Sequence, residues 1–383
     1  MEQPAVTAVG TKTIATLAKV FNRCFRRLKS TDGRPSAPLG SRILTNSDDI
    51  FKHNMWDHVQ WTEEDKEKAR QKAKENSLVQ IPFPERGKFV SDACHYWDTF
   101  YEVHRNKFFK DRTWLFSEFP ELLPLNAESQ GVEGRDPHAE RLTLSVLERK
   151  PEARLEGRTN TETHRDSPLK TDKAFRGEAA AYRILEVGCG VGNSVIPIVK
   201  NIREKSAFLY CCDFSPCAIQ LLKDHPDYDE SVCHAFVHDL CDEEAAFPFP
   251  PHSLDVILAV FVLSSINPER TLLSAIRMQG VVNRLSKHLK HGGMFLFRDY
   301  GRYDFTQLRF KTGRCLSDNF YTRGDGTCVY FFTKEEVHNL FSNAGLTEVQ
   351  NVEDRRLQVN RKKKVAIHRV WMQSKYRKSP APS

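Results

Sequence analysis

A chain of 383 residues, 40% hydrophobic and with a mean hydropathy of −0.53, predicts a soluble globular protein with polar extensions, either one large domain with additions or two small ones. No apolar run approaches the roughly 20 residues that a membrane-spanning helix needs. The ten cysteines are scattered, with no pair of CxxC units and no His/Cys spacing of zinc type, so buried free thiols in a reducing compartment are expected and a metal site is not. The net charge of +7 is concentrated at the ends. Ten Lys or Arg and no acid follow from Arg355 onward, and residues 1–42 carry eight Lys or Arg against Glu2 and Asp32. Basic ends around an acidic middle point to a polyanionic partner or a targeting signal.

On a helix, Ile14, Leu17, Ala18, Phe21, Phe25 and Leu28 form one apolar stripe, with Lys19, Arg23, Arg26, Arg27 and Lys29 off it. This acid-poor amphipathic start resembles a mitochondrial transit peptide, which residues 1–38 are expected to form; an ordinary basic arm is the alternative. Residues 39–120 read as a helical block. Thr62 before acids is an N-cap, opening a charged, exposed helix to Asn76, and the block closes on Tyr96–Tyr101 and Phe108–Leu115. Residues 121–179 lose apolar periodicity and read as a disordered insert. Residues 180–377 then form one domain, with a tail at 378–383.

Within that domain strands alternate with helices, the pattern of a parallel sheet covered on both faces. The expected strands are Ile184–Val187, Phe208–Asp213, Cys233–Asp239, Leu254–Leu263 and Met294–Arg298. Val329–Phe332 and Ala366–Gln373, separated by a Thr333-capped helix, complete a seven-strand pattern.

Ile184–Val187 runs directly into Gly188, Gly190 and Gly192, and glycines let a turn approach a ligand closely. Asn193 stands where a dinucleotide-binding turn needs glycine. Glu186 would repel phosphate and suits a cofactor bearing an ammonium. This turn resembles the first motif of the class I S-adenosylmethionine (SAM)-dependent methyltransferases, whose fold is a Rossmann-like seven-stranded α/β sheet. Asp213 closes the second strand, where a carboxylate can accept both ribose hydroxyls or simply cap the next helix. Asp239 closes the third, where it can accept from an adenine amino group while Leu240 packs on the ring, or serve as an ordinary turn acid.

The resemblance narrows further. Tyr96–Tyr101, Phe108–Arg112, Ile184–Asn193, Cys212–Ser215, Phe261–Ser264, Phe297–Gly301 and Asn319–Thr327 are similar to segments of the eukaryotic tRNA N3-methylcytidine methyltransferases. Ala37–Thr45 and Phe51–Asp57 look most like the mitochondrial member. The resemblance implies methyl transfer from SAM to N3 of a cytidine in the tRNA anticodon loop (position 32), with an N-terminal helical RNA-binding extension. The implied cofactor contacts are Trp97, Tyr101, Gly188, Asp213, Asp239, Leu240 and Val260, with Glu186 and Gly190 from the glycine turn. Trp97 and Tyr101, four apart, share a helix face and can form a lid, or merely pack on the sheet.

For the chemistry, Asp299 is a candidate to stabilise the cationic product. Tyr300 and Phe261 are candidates to stack the target base, although Phe261 reads more simply as core. Candidate RNA contacts are Lys110, Arg112, Arg302, Arg309, Lys311, Arg323, Arg355, Arg356, Arg361, Lys362, Lys363 and Lys364. Seryl-tRNA synthetase is a partner implied for some family members. Thr271–Arg277 looks like an extra segment that puts full activity in doubt. The competing readings are a non-catalytic RNA-binding protein on a methyltransferase scaffold and a methyltransferase acting on a protein or small molecule.

Overall fold

The computed structural model describes residues 40–124, 175–268 and 277–380. The expected transit peptide, most of the expected insert and residues 271–276 lie outside the described residues. The first described segment contains a short strand β1 (Met55–Trp56) and the longer helices α1 (Glu63–Ser77) and α2 (Ala93–His104). The alternating region follows as β2 (Tyr182–Val187), α3 (Val195–Ile202), β3 (Ala207–Asp213), α4 (Pro216–Lys223), β4 (Cys233–Val237), β5 (Leu254–Val260), α5 (Arg277–His288) and β6 (Leu289–Tyr300). The last part contains β7 (Cys315–Ser317), β8 (Phe320–Thr322), β9 (Cys328–Tyr330), α6 (Lys334–Ser342), β10 (Leu346–Asn360) and β11 (Val365–Lys378).

The main sheet has the order β1-β10-β11-β6-β5-β2-β3-β4. From β6 to β4 it is parallel, and β1, β10 and β11 add antiparallel strands at one edge. Every residue of β3 is buried, which explains its continuous apolar run: helices cover both faces of a parallel sheet. Successive residues of a strand point to opposite faces. Leu185, Ile257 and Phe295 thus enter one core, and Ile184, Val256 and Leu296 the other. The chain runs from β2 outward to β4, then returns to place β5 on the other side of β2. The strand order reverses between the C-terminal ends of β2 and β5, the place where open α/β sheets bind ligands.

Two corrections to the expected strands follow. Val329–Phe332 does not join the main sheet, because β9 pairs with β8 in a separate three-stranded sheet, β7-β8-β9. The missing strand is β10. Its charges break the apolar pattern, yet they are paired internally: Arg356 bonds Asp354 at 2.8 Å and Glu118 at 3.0 Å, and Arg298 from β6 bonds Asp354 at 2.5 Å. The Arg298 guanidinium lies 5.0 Å from the rings of both Trp114 and Trp371.

The N-terminal block is woven into the sheet. β1 pairs with β10, and Trp56 packs on Leu357 and Val359. Thr62 and Asp65 form the capping box that starts α1. That helix is exposed along much of its length but docks through Asn76, whose Nδ2 donates to the carbonyls of Gln307 and Leu308. Order also runs past the expected insert boundary at 121, since Leu122 is fully buried beside Phe119.

Candidate active site

At the reversal point a concave pocket opens to solvent, the kind of place where small molecules bind. Trp97, Tyr101, Gly188, Asp213, Asp239 and Leu240 all line it, although they come from α2 and from the ends of three strands. Gly188 has φ +58°, and a Cβ there would come within 2.3 Å of Val262, so a side chain is excluded on both counts. Gly190 is as confined: a Cβ would lie 2.6 Å from the Tyr101 hydroxyl. Val260 is one residue short of the wall. It packs in the core beside Ile184 and Leu296, and the wall is made by Phe261 and Val262.

Trp97 and Tyr101 stack at 5.8 Å between ring centroids. Their helix is pinned by Asp98, which accepts from the Ser215 hydroxyl at 2.5 Å, and by Cys94, whose thiol contacts the Phe214 carbonyl. Ser215 itself caps α4 by accepting from Ala218 N. Helix capping is therefore done by Ser215, and Asp213 faces the cavity. Its carboxylate accepts from Gly190 N at 2.9 Å and Ser215 N at 3.0 Å. Burial pushes it up to about 6 against the opposing pull of those backbone donors. Asp239 is exposed and accepts from Cys241 N at 2.8 Å.

Glu186 lies beneath the glycine turn, 1% exposed, with neither carboxylate oxygen hydrogen-bonded among the described residues. Its nearest cation is Arg112, at 3.8 Å. Burial pushes the carboxyl up to about 7, and Arg112 and the Ser194 hydroxyl only partly offset this. A buried carboxylate only loosely paired, beside a side-chain-free cradle and with a second acid at the end of β3, fits SAM, which carries an ammonium and two ribose hydroxyls.

Beyond Val260 the chain turns sharply at Phe261, which has φ +60°, a left-handed conformation that strains a bulky residue. The strain turns the ring toward the cavity, so Phe261 is wall and not plain core. Its ring lies 5.0 Å from Tyr300, with the guanidinium of Arg112 5.8 Å from Phe261 and that of Arg323 5.8 Å from Tyr300. Asp299 is fully buried and does not line the cavity. It accepts from Ser264 N at 2.9 Å and Tyr300 N at 2.8 Å, bracing the turn after Phe261, and burial pushes it up to about 6.

The basic residues divide by environment. Arg302 is engaged by a bidentate pair with Glu336 at 2.7 and 2.9 Å, and Arg356 by Asp354 and Glu118. Arg112 is turned inward. Lys110 is exposed, and Arg323 is partly so. Arg361 to Lys364 occupy the exposed turn between β10 and β11, with Arg361 on Asn54 and Lys364 over Phe51. Trp371 pairs with Tyr300 at the end of β6, and β11 extends six residues further to Val365. The basic turn thus projects about 20 Å beyond the sheet edge at which the cavity opens. Motifs and spacing carry no sign of the Asp98–Ser215 anchor, of the Glu186–Arg112 proximity or of Phe89 and Phe320 in the cavity wall, because each depends on tertiary placement.

Residues 185–295 match a methyltransferase domain. The chain is 49% identical over 354 residues to a tRNA N(3)-cytidine methyltransferase, METTL2, of Danio rerio, covering 92% of this chain and 93% of that protein. It is 45% identical over 275 residues to METTL8 of Mus musculus, a tRNA N(3)-cytidine methyltransferase named as mitochondrial, covering 66% of this chain and 94% of that protein. A SAM-dependent methyltransferase structure from Methanosarcina mazei aligns with a TM-score of 0.38 and 14% identity, over 52% of this chain and 93% of that one. With nearly half of its residues identical to METTL2 along nine-tenths of its length, the chain belongs to the tRNA N(3)-cytidine methyltransferases.

Proposed function

We propose that the protein transfers a methyl group from SAM to N3 of a cytidine in the anticodon loop of tRNA, at position 32. The observation that carries this reading is the cavity at the sheet's reversal point, floored by Gly188 and Asp213 and roofed by Trp97 and Tyr101, in a chain of this family. Asp213 accepts the ribose hydroxyls, Asp239 the adenine amino group, and Leu240 packs on the ring. Bound SAM supplies an electrophilic methyl on a sulfonium.

N3 of neutral cytosine is already a free lone pair, so no general base is needed; the protein must unstack the base and align it. Phe261 and Tyr300 flank the base, and Arg323 keeps positive charge at its phosphate side. Asp299 holds the Phe261–Tyr300 pair in register through Ser264 and Tyr300. Ionised above about pH 6, it also sets a negative potential beneath the pair that favours the cationic product. Lys110 and the basic turn Arg361–Lys364 contact tRNA phosphates.

The decisive experiment incubates the purified protein with SAM and an anticodon stem-loop transcript and identifies the product nucleoside by mass spectrometry. N3-methylcytidine at position 32 is expected, and its absence with a natural tRNA pool overturns the reading. Residues 1–38 are proposed to direct the protein to mitochondria. Their amphipathic basic composition supports this, as does the mitochondrial name of the METTL8 relative. A fusion of this segment to a fluorescent protein that stays in the cytosol refutes it. Seryl-tRNA synthetase enters only as a partner implied by the family resemblance.

A further inference from the structure

The polar side chains of the cavity wall fall on two sides of β2. Asp213 and Asp239 stand at or just beyond the ends of β3 and β4, whereas Ser265 follows β5, on the side of β6 and Tyr300. Ser265 closes a short 3-10 turn, Leu263–Ser265, which begins two residues after Phe261. Its hydroxyl donates to the Val262 carbonyl at 2.7 Å, and the same carbonyl accepts from Ser265 N at 2.9 Å. The turn is braced on both sides of this bond. Ser264 N donates to the buried Asp299 carboxylate at 2.9 Å, and Ile266 N donates to the Leu263 carbonyl at 3.0 Å. A serine hydroxyl has one hydrogen and two lone pairs. With its hydrogen committed to Val262, Ser265 presents lone pairs to the cavity, and donating to a ligand would forfeit the existing bond. This part of the wall therefore accepts hydrogen bonds and does not give them.

We propose that Ser265 selects the target base: its hydroxyl oxygen accepts a hydrogen bond from the exocyclic amino group of the cytosine. The role rests on the methyl-transfer reading of the site. In cytosine the amino group is a donor on the carbon next to N3. A base that offers N3 to the sulfonium methyl therefore brings an N–H donor to the wall beside the reacting atom. Phe261 and Tyr300 flank the ring faces in that reading, and stacking on a face does not tell one base from another. Selection has to come from the ring edge. Phe261 and Ser265 belong to one braced turn, so the stacking surface and the edge acceptor are set in a fixed relation. Uracil is excluded as a nucleophile because its N3 carries a proton. The serine adds alignment of N3, and it opposes any base with a carbonyl beside N3 by setting lone pairs against lone pairs.

The test compares two anticodon stem-loop RNAs that differ only at position 32. One carries cytidine; the other carries zebularine, whose base keeps the N3 lone pair and has hydrogen in place of the amino group. Their affinities are measured for the full-length protein saturated with S-adenosylhomocysteine, as wild type, Ser265→Ala, Ser265→Thr and Asn267→Ala, each with its melting temperature and SAM affinity. Differences between the two free RNAs are common to all the proteins and cancel in the comparison. Ser265→Ala is expected to lower the ratio of cytidine to zebularine affinity by about 2- to 12-fold, the range for one neutral hydrogen bond, with SAM affinity unchanged. Ser265→Thr, which keeps the hydroxyl, is expected to retain the ratio. Equal weakening of both RNAs by Ser265→Ala, or an unchanged ratio, overturns the proposal and leaves the serine only ending its turn. A loss of SAM affinity without a change of ratio assigns the hydroxyl to the cofactor, and a ratio that falls only in Asn267→Ala assigns selection to that neighbour; each overturns it too. If Ser265→Ala melts well below the wild type, Ser265→Cys, whose thiol is a weak acceptor of similar shape, is expected to lower the ratio, and an unchanged ratio there is equally fatal. Failure of the wild type to methylate the cytidine RNA with SAM overturns the methyl-transfer reading itself, a distinct outcome.

Discussion

Replacing Glu186 by Gln tests the electrostatic heart of the site. In the folded chain this carboxyl is pushed from its ordinary 4.5 up to about 7 by burial. Between those pH values the folded protein holds a proton that the unfolded chain has released, so the folded state loses stability as pH rises through the window. At about 1.4 kcal/mol per pH unit, the gap corresponds to a cost of roughly 3 kcal/mol once the pH is above 7, and about 2.5 kcal/mol of it develops between pH 5 and pH 8. Glutamine has no such slope.

The absolute stability of Glu186→Gln at any one pH is not diagnostic, because a buried amide without partners carries its own cost of about 1–3 kcal/mol. The diagnostic is the difference between variant and wild type. Without cofactor it should move in the variant's favour by about 2.5 kcal/mol from pH 5 to pH 8, or roughly 3–4 °C in melting temperature for a chain of this size. Asp213 and Asp299 are also raised, but both are present in each protein and cancel. A melting difference that stays constant from pH 5 to pH 8 refutes the buried-charge account. SAM affinity adds a second check: it should rise with pH in the wild type as Glu186 ionises, and that component should vanish in the variant.

Three further outcomes are expected. Asp213→Ala should weaken SAM binding by about 1.5–3 kcal/mol in calorimetry, since the ribose hydroxyls lose a charged acceptor; unchanged affinity in a folded variant sinks that role. Phe261→Gly should melt higher than Phe261→Ala, by about 1 kcal/mol or more, because glycine alone relieves the left-handed backbone, while both lose methyl transfer to tRNA; equal melting temperatures argue against strain. Lys362→Gln combined with Lys363→Gln should lower the salt slope of tRNA binding by about 0.7 per lost contact with single-stranded phosphate and leave SAM affinity alone; an identical slope assigns the turn to solvent.

Much of the parallel sheet was legible because its order is local. An apolar run ending in glycines marks β2, Asp213 ends the wholly buried β3, and Asp239 follows the edge strand β4 by two residues. Trp97 and Tyr101 share a face by helical spacing alone. β10 was illegible for the opposite reason. Glu353, Asp354, Arg355 and Arg356 look like a solvated run, and only the partners brought by β6 and by Glu118 let a strand bury Asp354 and Arg356. Val329–Phe332 misled because strand composition does not say which sheet a strand joins. Arg112 has ordinary RNA-binding chemistry in sequence and is turned inward only because its segment packs on Asn193 and Ser194.

The division of the site between parts of the chain bears on how its specificity is written. The stretch matching a methyltransferase domain, residues 185–295, contains Gly188, Asp213, Asp239, Leu240 and Phe261, all in the cavity wall and among them the residues proposed to hold the adenosine. Trp97, Tyr101 and Arg112 precede it; Tyr300, Arg323 and the basic turn follow it. These outer residues are not independently mobile attachments. Asp98 ties the lid helix to Ser215, β1 pairs with β10, Asn76 binds the Gln307 and Leu308 carbonyls, and Arg356 joins Glu118 to the second half of the sheet. On the proposed reading the generic fold supplies the cofactor floor, while the roof and part of the base-facing wall come from two flanking regions locked to each other across the sheet edge. A substitution that loosens this lock, such as Glu118→Ala, leaves the buried Arg356 short of one acceptor. It should then disturb tRNA methylation more than binding of methylthioadenosine, because the floor stays intact while the wall and roof lose their common anchor.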